Sequence, residues 1–277
     1  MKVYKFGGAS VKDANGVRNL QQIVAQESGD LVIVVSAMGK TTNALEAVLA
    51  DQLAGNDDGA KKKWDDIYAY HFGIIRGLGL GEECCEGLRR LVEELERNSV
   101  RGGSYEQSYD SVVSIGERMS TMIVAAYLRQ CGMDAVLWDM TRLLRTDETF
   151  REAVVDMDAS EKLICKAWDK IDGRKIVVAQ GFIGGTEKGE PTTLGREGSD
   201  YSAAIIGNIL GAESVTIWKD VPGILNADPR LVSETTKIDE LSYNDAVELA
   251  YSGAQVIHPK TIRPLENKHI PLYVKPF

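Results

Sequence analysis

The run Leu31–Val35, LVIVV, constrains the fold more than any other stretch of the chain. Five consecutive apolar residues, mostly β-branched, leave no polar face, which marks a strand buried on both sides, as in a parallel sheet. A glycine turn follows, Ser36-Ala37-Met38-Gly39-Lys40-Thr41-Thr42-Asn43, and then the helical stretch ALEAVLADQLAG. The same grammar precedes it. Val3–Phe6 reads as a strand and Gly7-Gly8-Ala9-Ser10 as a turn, and Lys12–Gln26 carries Val17, Leu20, Ile23 and Val24 on one helical face. Lys175–Gln180 with Gly181-Phe182-Ile183-Gly184-Gly185 and Ser214–Trp218 extend the pattern, and Ala135–Trp138 and Pro271–Lys275 read as further strands. Helices are expected over Ser111–Cys131, with Gly116-Glu117-Arg118 near its start, and over Ser160–Ile171, Ser242–Tyr251 and Pro259–Asn267. Repeated strand, turn and helix predict an α/β protein.

Residues 56–98 break the rhythm. They are charged, hold no strand-like run and read as two amphipathic helices, an insertion of about 56–100 expected to cover the sheet edge or the substrate cleft. A chain of 277 residues, 44% hydrophobic and 26% charged, suits a soluble globular protein with a sizeable core. Its net charge of −9 argues against broad binding to nucleic acid or to an anionic membrane. Cys84, Cys85, Cys131 and Cys165 form no CxxC, and the three histidines, His71, His258 and His269, lack metal-ligand spacing. There is no signal-peptide run at the start and no long apolar span, so a cytoplasmic protein is expected.

Chemistry concentrates in Thr193–Tyr201, TLGREGSDY, directly ahead of the apolar helical stretch SAAIIGNILGAES. A helix N-terminus offers unpaired N–H groups and partial positive charge to an anion. The fork of Arg196 suits a carboxylate or phosphate. The same Gly, Ser and Asp residues also suit an ordinary helix cap. In open parallel sheets ligands gather at the carboxyl ends of the strands, where the glycine turns lie. Gly7-Gly8 permits close backbone approach to an anion, with Lys5 as a point charge and Ser10 as a donor. Two lookalikes fail. Gly39-Lys40-Thr41 would need the first glycine of a Walker loop at Val34, and Gly77-Leu78-Gly79-Leu80-Gly81-Glu82 follows no strand and ends in glutamate.

KFGGAS at 5–10, VVSAMGKTTN at 34–43, SIGERMS at 114–120, GFIGG at 181–185, TLGREGSD at 193–200, KDVPGILNADPR at 219–230 and GAQVIHP at 253–259 fall in the order of an aspartate kinase catalytic domain. Over nearly its whole length the chain resembles that branch of the amino acid kinase family. The resemblance implies a three-layer α/β/α sandwich with a mainly parallel sheet. It implies one domain over 1–277, with amino acid bound by about 1–183 and nucleotide by about 184–277. The implied reaction is phosphorylation of the side-chain carboxylate of L-aspartate by MgATP, the first step towards lysine, threonine and methionine. A carboxylate is already ionised at neutral pH, so this chemistry needs cations and N–H donors rather than a general base.

By matching position, Lys5 would stabilise the transferring phosphoryl group and Gly7, Gly8 and Ser10 would cradle phosphate. Ser36, Thr42, Glu117, Arg196, Gly198 and Ser199 would form the aspartate site, with Glu117 suited to the ammonium and Arg196 to a carboxylate. Asp200 would organise Lys5 and the water shell of Mg²⁺, which leaves few direct protein ligands. Lys219, Asp220, Leu225, Arg230 and Gln255 fall in the segments that would wall the nucleotide. Phe182 reads as core, and His258 and Pro259 as shaping the turn before the last helix. Longer aspartate kinases continue beyond this point into ligand-binding ACT modules. With none here, no inhibition by lysine or threonine through such modules is expected. A homo-oligomer is compatible with the sequence.

The chain departs from the family pattern at four positions: Ala9 and Lys219 stand where threonine is usual, Leu225 where tyrosine is common, and Gln255 where a nucleotide-contacting lysine is usual. Two other readings stay open: a sister kinase acting on glutamate, acetylglutamate, carbamate or a nucleoside monophosphate, and a non-catalytic sensor of amino acid or nucleotide. If the charge missing at Gln255 limits nucleotide binding, Gln255→Lys lowers the KM for ATP. An unchanged KM in steady-state assays removes that explanation.

Overall fold

The computed structural model describes residues 1–98, 103–221, 223–227, 232, 234–251 and 257–277. In chain order the first half contains β1 (Lys2–Phe6), α1 (Ala14–Ala25), β2 (Leu31–Val35), α2 (Thr41–Leu53), α3 (Asp57–Leu78), α4 (Glu82–Asn98) and α5 (Tyr105–Gln130). Then come β3 (Ala135–Trp138), α6 (Met140–Leu143), α7 (Met157–Trp168), β4 (Ile176–Gln180), β5 (Ile183–Gly185) and β6 (Pro191–Thr193). The last elements are α8 (Gly198–Ile209), β7 (Ser214–Lys219), α9 (Tyr243–Tyr251), α10 (Pro259–Glu266) and β8 (Leu272–Pro276).

Six strands form one sheet in the order β3-β4-β2-β1-β7-β8, with every neighbouring pair parallel. Alternation along the strands splits the interior into two cores. Tyr4, Phe6, Leu31, Ile33 and Val35 face α1 to α5, while Val3, Val32, Val34, Val177 and Val215 face α7, α8 and α10. This is the expected three-layer sandwich. β1 is central, with its sequence neighbour β2 on one side and β7 on the other. The crevice at its carboxyl end is therefore the switch point where open α/β sheets hold ligands.

The helices at 57–78 and 82–98 form as expected, but they do not cover the sheet edge or the cleft. Trp64, Ile67, Ile75 and Leu88 extend the first core outward, with α3 packed on α2 and α4 on α5. Both have an apolar stripe and a charged back, so they add a second helical shell. α3 reaches the rim of the crevice through Tyr70, whose hydroxyl donates to the Lys12 carbonyl.

α5 begins well ahead of residue 111. The Ser104 hydroxyl caps it by accepting from the Gln107 N–H at 3.2 Å, and the helix runs for 26 residues, which puts Glu117 midway along it. The early start was hidden because its first turn is polar and exposed and the next carries Ser108 and Asp110, polar residues that are buried where α5 packs against β6. β5 and β6 form an antiparallel hairpin that the sequence reading did not anticipate. Three-residue strands built from Gly, Pro and Thr show neither alternation nor an apolar run.

Asp110 ties this hairpin to α5. Its fully buried carboxylate accepts from the Thr193 N–H at 2.8 Å, the Thr193 hydroxyl at 2.7 Å and the Arg151 N–H at 2.9 Å. Removing it strands both Thr193 donors in the interior and leaves the Arg151 N–H without its partner. Asp110→Ala should lower unfolding stability by about 3 kcal/mol, measured by urea denaturation.

Candidate active site

Lys5 precedes the turn Gly7-Gly8 at the end of β1, on the face that packs against α8. Gly8 approaches the next turn closely: its carbonyl accepts from the Gly39 N–H at 2.9 Å, and a Cβ there would collide with the Ala37 carbonyl oxygen. Only glycine lets the two crossover turns pack this tightly. Opposite them stands the start of α8. Its N-cap Glu197 lies in the left-handed region at φ 54° and makes no side-chain cap. The first-turn N–H groups of Ser199 and Asp200 have no carbonyl within the helix to pair with, so this end carries partial positive charge.

Asp200 is fully buried beneath that end. Lys5 Nζ lies 2.6 Å from its Oδ1 and Lys219 Nζ 3.0 Å from its Oδ2. Burial alone would raise the Asp200 carboxyl, but Lys5 and then Lys219 outweigh it and hold the group below its ordinary value.

Glu117 reaches the same cleft from the opposite helical layer. Gly116 permits the approach, because a Cβ there would sit 2.8 Å from the Ala37 methyl group. Ala37 N–H donates to Glu117 Oε1 at 3.2 Å, while Oε2 has no hydrogen-bond partner among the described residues. Burial pushes its carboxyl up to about 8, with the Ala37 bond opposing weakly. A buried acid in the wall of the cleft, with one oxygen unpartnered among the described residues, suits a cationic ligand group.

Lys5, Gly8, Ser36, Thr42, Glu117, Gly198, Ser199 and Asp200 line one cleft of about 280 Å³, so half of the expected site residues are brought together there. Gly7 flanks it beside the Lys5 ammonium. Ser10 is buried with its N–H on the Gly7 carbonyl and does not line the cleft. Arg196 is also set apart. It is exposed and lines an adjoining cavity of about 590 Å³ with Tyr109, Arg151 and Thr193. Positive φ at both Gly195 and Glu197 reverses the chain on either side of Arg196 and turns it away from the cleft.

Lys219 reaches the cleft through Asp200. Asp220 is exposed and Leu225 pairs with Lys237 in a short antiparallel bridge, neither of them lining the cleft. Arg230 and Gln255 lie outside the described residues, as does the turn Asp228-Pro229-Arg230. His258 accepts from the Lys260 N–H at 3.2 Å and caps α10, with Pro259 in its first turn, as expected. Phe182, read as core, packs against both cores and also forms the wall shared by the two cavities. Its φ of 67° is the signal of that position, and no sequence pattern reveals it. Asp110 and Arg151 were likewise missed. The Arg151 guanidinium lies 4.5 Å from the Tyr109 ring centroid, in the wall of the second cavity.

Among the described residues no group of three His, Cys, Asp or Glu side chains could hold a metal, and no helix is long and apolar enough to cross a membrane. Lys5 and Asp200, at the start of α8, and Glu117, on the opposite helical layer, thus line one cleft. The chain belongs to the amino acid kinase family, which it matches over residues 1–276. It is 36% identical to lysine-sensitive aspartokinase 3 of Escherichia coli over 275 residues, covering 98% of this chain and 60% of that protein. A bifunctional aspartokinase/homoserine dehydrogenase 2 of Arabidopsis thaliana is 33% identical over 99% of this chain and 31% of its own length. The crystal structure of E. coli aspartokinase III in complex with aspartate and ADP superposes with a TM-score of 0.89 at 35% identity. That match covers all of this chain and 62% of the other.

Glu117 also sets a pH dependence. Its folded pKa of about 8 exceeds the unfolded value of 4.5, so its contribution to stability is complete below 4.5 and is lost as pH rises through 8. Glu117→Gln should therefore gain stability relative to the parent between pH 5 and 8, by on the order of a few kcal/mol. Denaturation midpoints that track each other across this range would contradict it.

Proposed function

We propose that this chain is the catalytic unit of an aspartate kinase, transferring the terminal phosphoryl group of ATP to the side-chain carboxylate of L-aspartate. One observation carries the reading: a buried lysine–aspartate pair at a helix N-terminus shares a single cleft with a buried, half-partnered glutamate. The first group suits a phosphoryl in transfer and the second an amino acid ammonium. The E. coli relative solved with aspartate and ADP supports the same pair of ligands.

A carboxylate oxygen of aspartate attacks the γ-phosphorus, the bond from phosphorus to the bridging oxygen breaks, and ADP leaves. The products are 4-phospho-L-aspartate and ADP. The nucleophile is already ionised, so no base is required. The difficulty is bringing two anions together. Lys5 and the N–H groups around Gly7, Gly8 and Ser199 answer it with fixed positive charge and donors. Glu117 Oε2 takes the ammonium, Ser36, Thr42 and Ser199 offer hydroxyls, and Arg196 meets a carboxylate from the adjoining cavity. Residues up to about 183 hold the amino acid. Those from about 184 hold the nucleotide, with Asp220, Leu225, Arg230 and Gln255 in its wall.

The donor set fits magnesium in one form. Asp200, whose oxygens are held by Lys5 and Lys219, would reach the ion through its water shell and not as a direct ligand, which suits an ion that keeps its waters and leans on phosphates. Bound there, magnesium would neutralise charge on the transferring group. The four cysteines are unpaired, which suits the reducing cytoplasm. The reaction would open the route to lysine, threonine and methionine.

The test mixes the protein with MgATP, hydroxylamine and either L-aspartate or L-glutamate and measures the acyl hydroxamate. Product with aspartate, and a loss of about 100-fold or more in Lys5→Ala, is expected. Product with glutamate alone moves the chain to a sister kinase, and no product with either, despite ATP binding, rejects catalysis.

A further inference from the structure

Lys219 ends β7, and strand register determines where it points. Lys5 is level with Ile217 across the β1–β7 pair, so Lys219, two residues on, faces the same side of the sheet as Lys5. Its Nζ lies 3.0 Å from Asp200 Oδ2 and 3.6 Å from Glu197 Oε2. Two ammonium groups and two carboxylates thus meet at the start of α8 and cancel in charge. Without Lys219 the same place would present two carboxylates against one lysine, beside a helix end suited to an anion.

We propose that Lys219 is a second phosphate-binding cation, held on Asp200 while the cleft lacks nucleotide and handed to the nucleotide phosphates when they enter. The inference rests on the nucleotide reading of the cleft. Three observations support the handover. Lys5 alone matches the charge of Asp200 and makes the shorter contact, 2.6 Å against 3.0 Å. The Lys219 side chain is 16% exposed against 7% for Lys5, so it is the less enclosed of the two. Lys260, another lysine near α8, is committed elsewhere: its Nζ donates to the Leu194 carbonyl at 2.8 Å and lies 4.7 Å from the Tyr201 ring centroid. With Lys219 on the phosphates, Asp200 Oδ2 would be left to accept from water, including water carried by a magnesium ion. At this position most of the family, by the resemblance above, carries a neutral threonine, so the charge is a property of this chain.

The test uses titration calorimetry on the full chain, with EDTA present, and compares ADP with adenosine. Lys219→Gln should weaken ADP binding about 10-fold or more, the worth of a charged hydrogen bond, and leave adenosine within about twofold. Lys219→Arg should recover most of the ADP affinity. The double variant Lys219→Gln/Glu197→Gln restores the charge balance and guards against a folding defect. It should bind ADP as poorly as Lys219→Gln does. Parental ADP affinity in either Gln variant overturns the proposal, because Lys219 would then be a static partner of the two carboxylates. An equal loss for adenosine overturns it too. Parental protein that makes aspartyl hydroxamate but shows no Lys219 effect sinks this inference alone. ADP binding that depends on Lys219, without hydroxamate, sinks the aspartate reading alone.

Discussion

The contact of Lys5 with Asp200, 2.6 Å long and largely buried, is the interaction on which the rest of the site depends. Isolated in the interior, either charge would be prohibitive. Paired, they are tolerable, yet a buried ion pair is a poor source of stability compared with apolar packing of the same volume. Its value is positional. It fastens the end of β1 to the first turn of α8, and through Lys219 it draws in the end of β7. The central strand, its neighbour and the helix facing them are thus referenced to one carboxylate. The geometry of the cleft follows from that point.

How much of this was legible in the sequence varies by kind of signal. β2 and β4 were plain because strands buried on both faces need continuous apolar runs. α1 was plain because a helix packed on one side keeps a 3.6-residue stripe. The cleft was legible as a set of residues, since Lys5, Ser36, Thr42, Glu117, Ser199 and Asp200 do converge. What spacing could not show was direction. Nine residues of glycine-rich loop hold Arg196, Glu197 and Asp200 almost side by side, but two positive-φ positions send Arg196 into a different cavity. The β5–β6 hairpin was hidden for another reason. Its strands are stabilised by tertiary bonds to Asp110 and Leu144 rather than by their own pattern. The helical shell at 57–98 was legible as helices but not as a shell, because amphipathicity says that a face is covered and not by what.

Asp200 and Glu117 show how one physical condition gives opposite outcomes. Both carboxylates are nearly or fully buried, and burial pushes both towards the neutral form. Asp200 has counter-charges supplied by the protein, from β1 and β7, and stays ionised. Glu117 has one backbone N–H on Oε1 and, among the described residues, no hydrogen-bond partner on Oε2, so its charge is little compensated. An ammonium brought against this carboxyl would favour its ionised form. A neutral ligand of the same shape offers no such gain and leaves the acid protonated. An acid placed where the fold gives its charge little support suits a cationic group better than a neutral one of the same shape. At the other end of the cleft Lys5 and Lys219 already hold Asp200 in its ionised form.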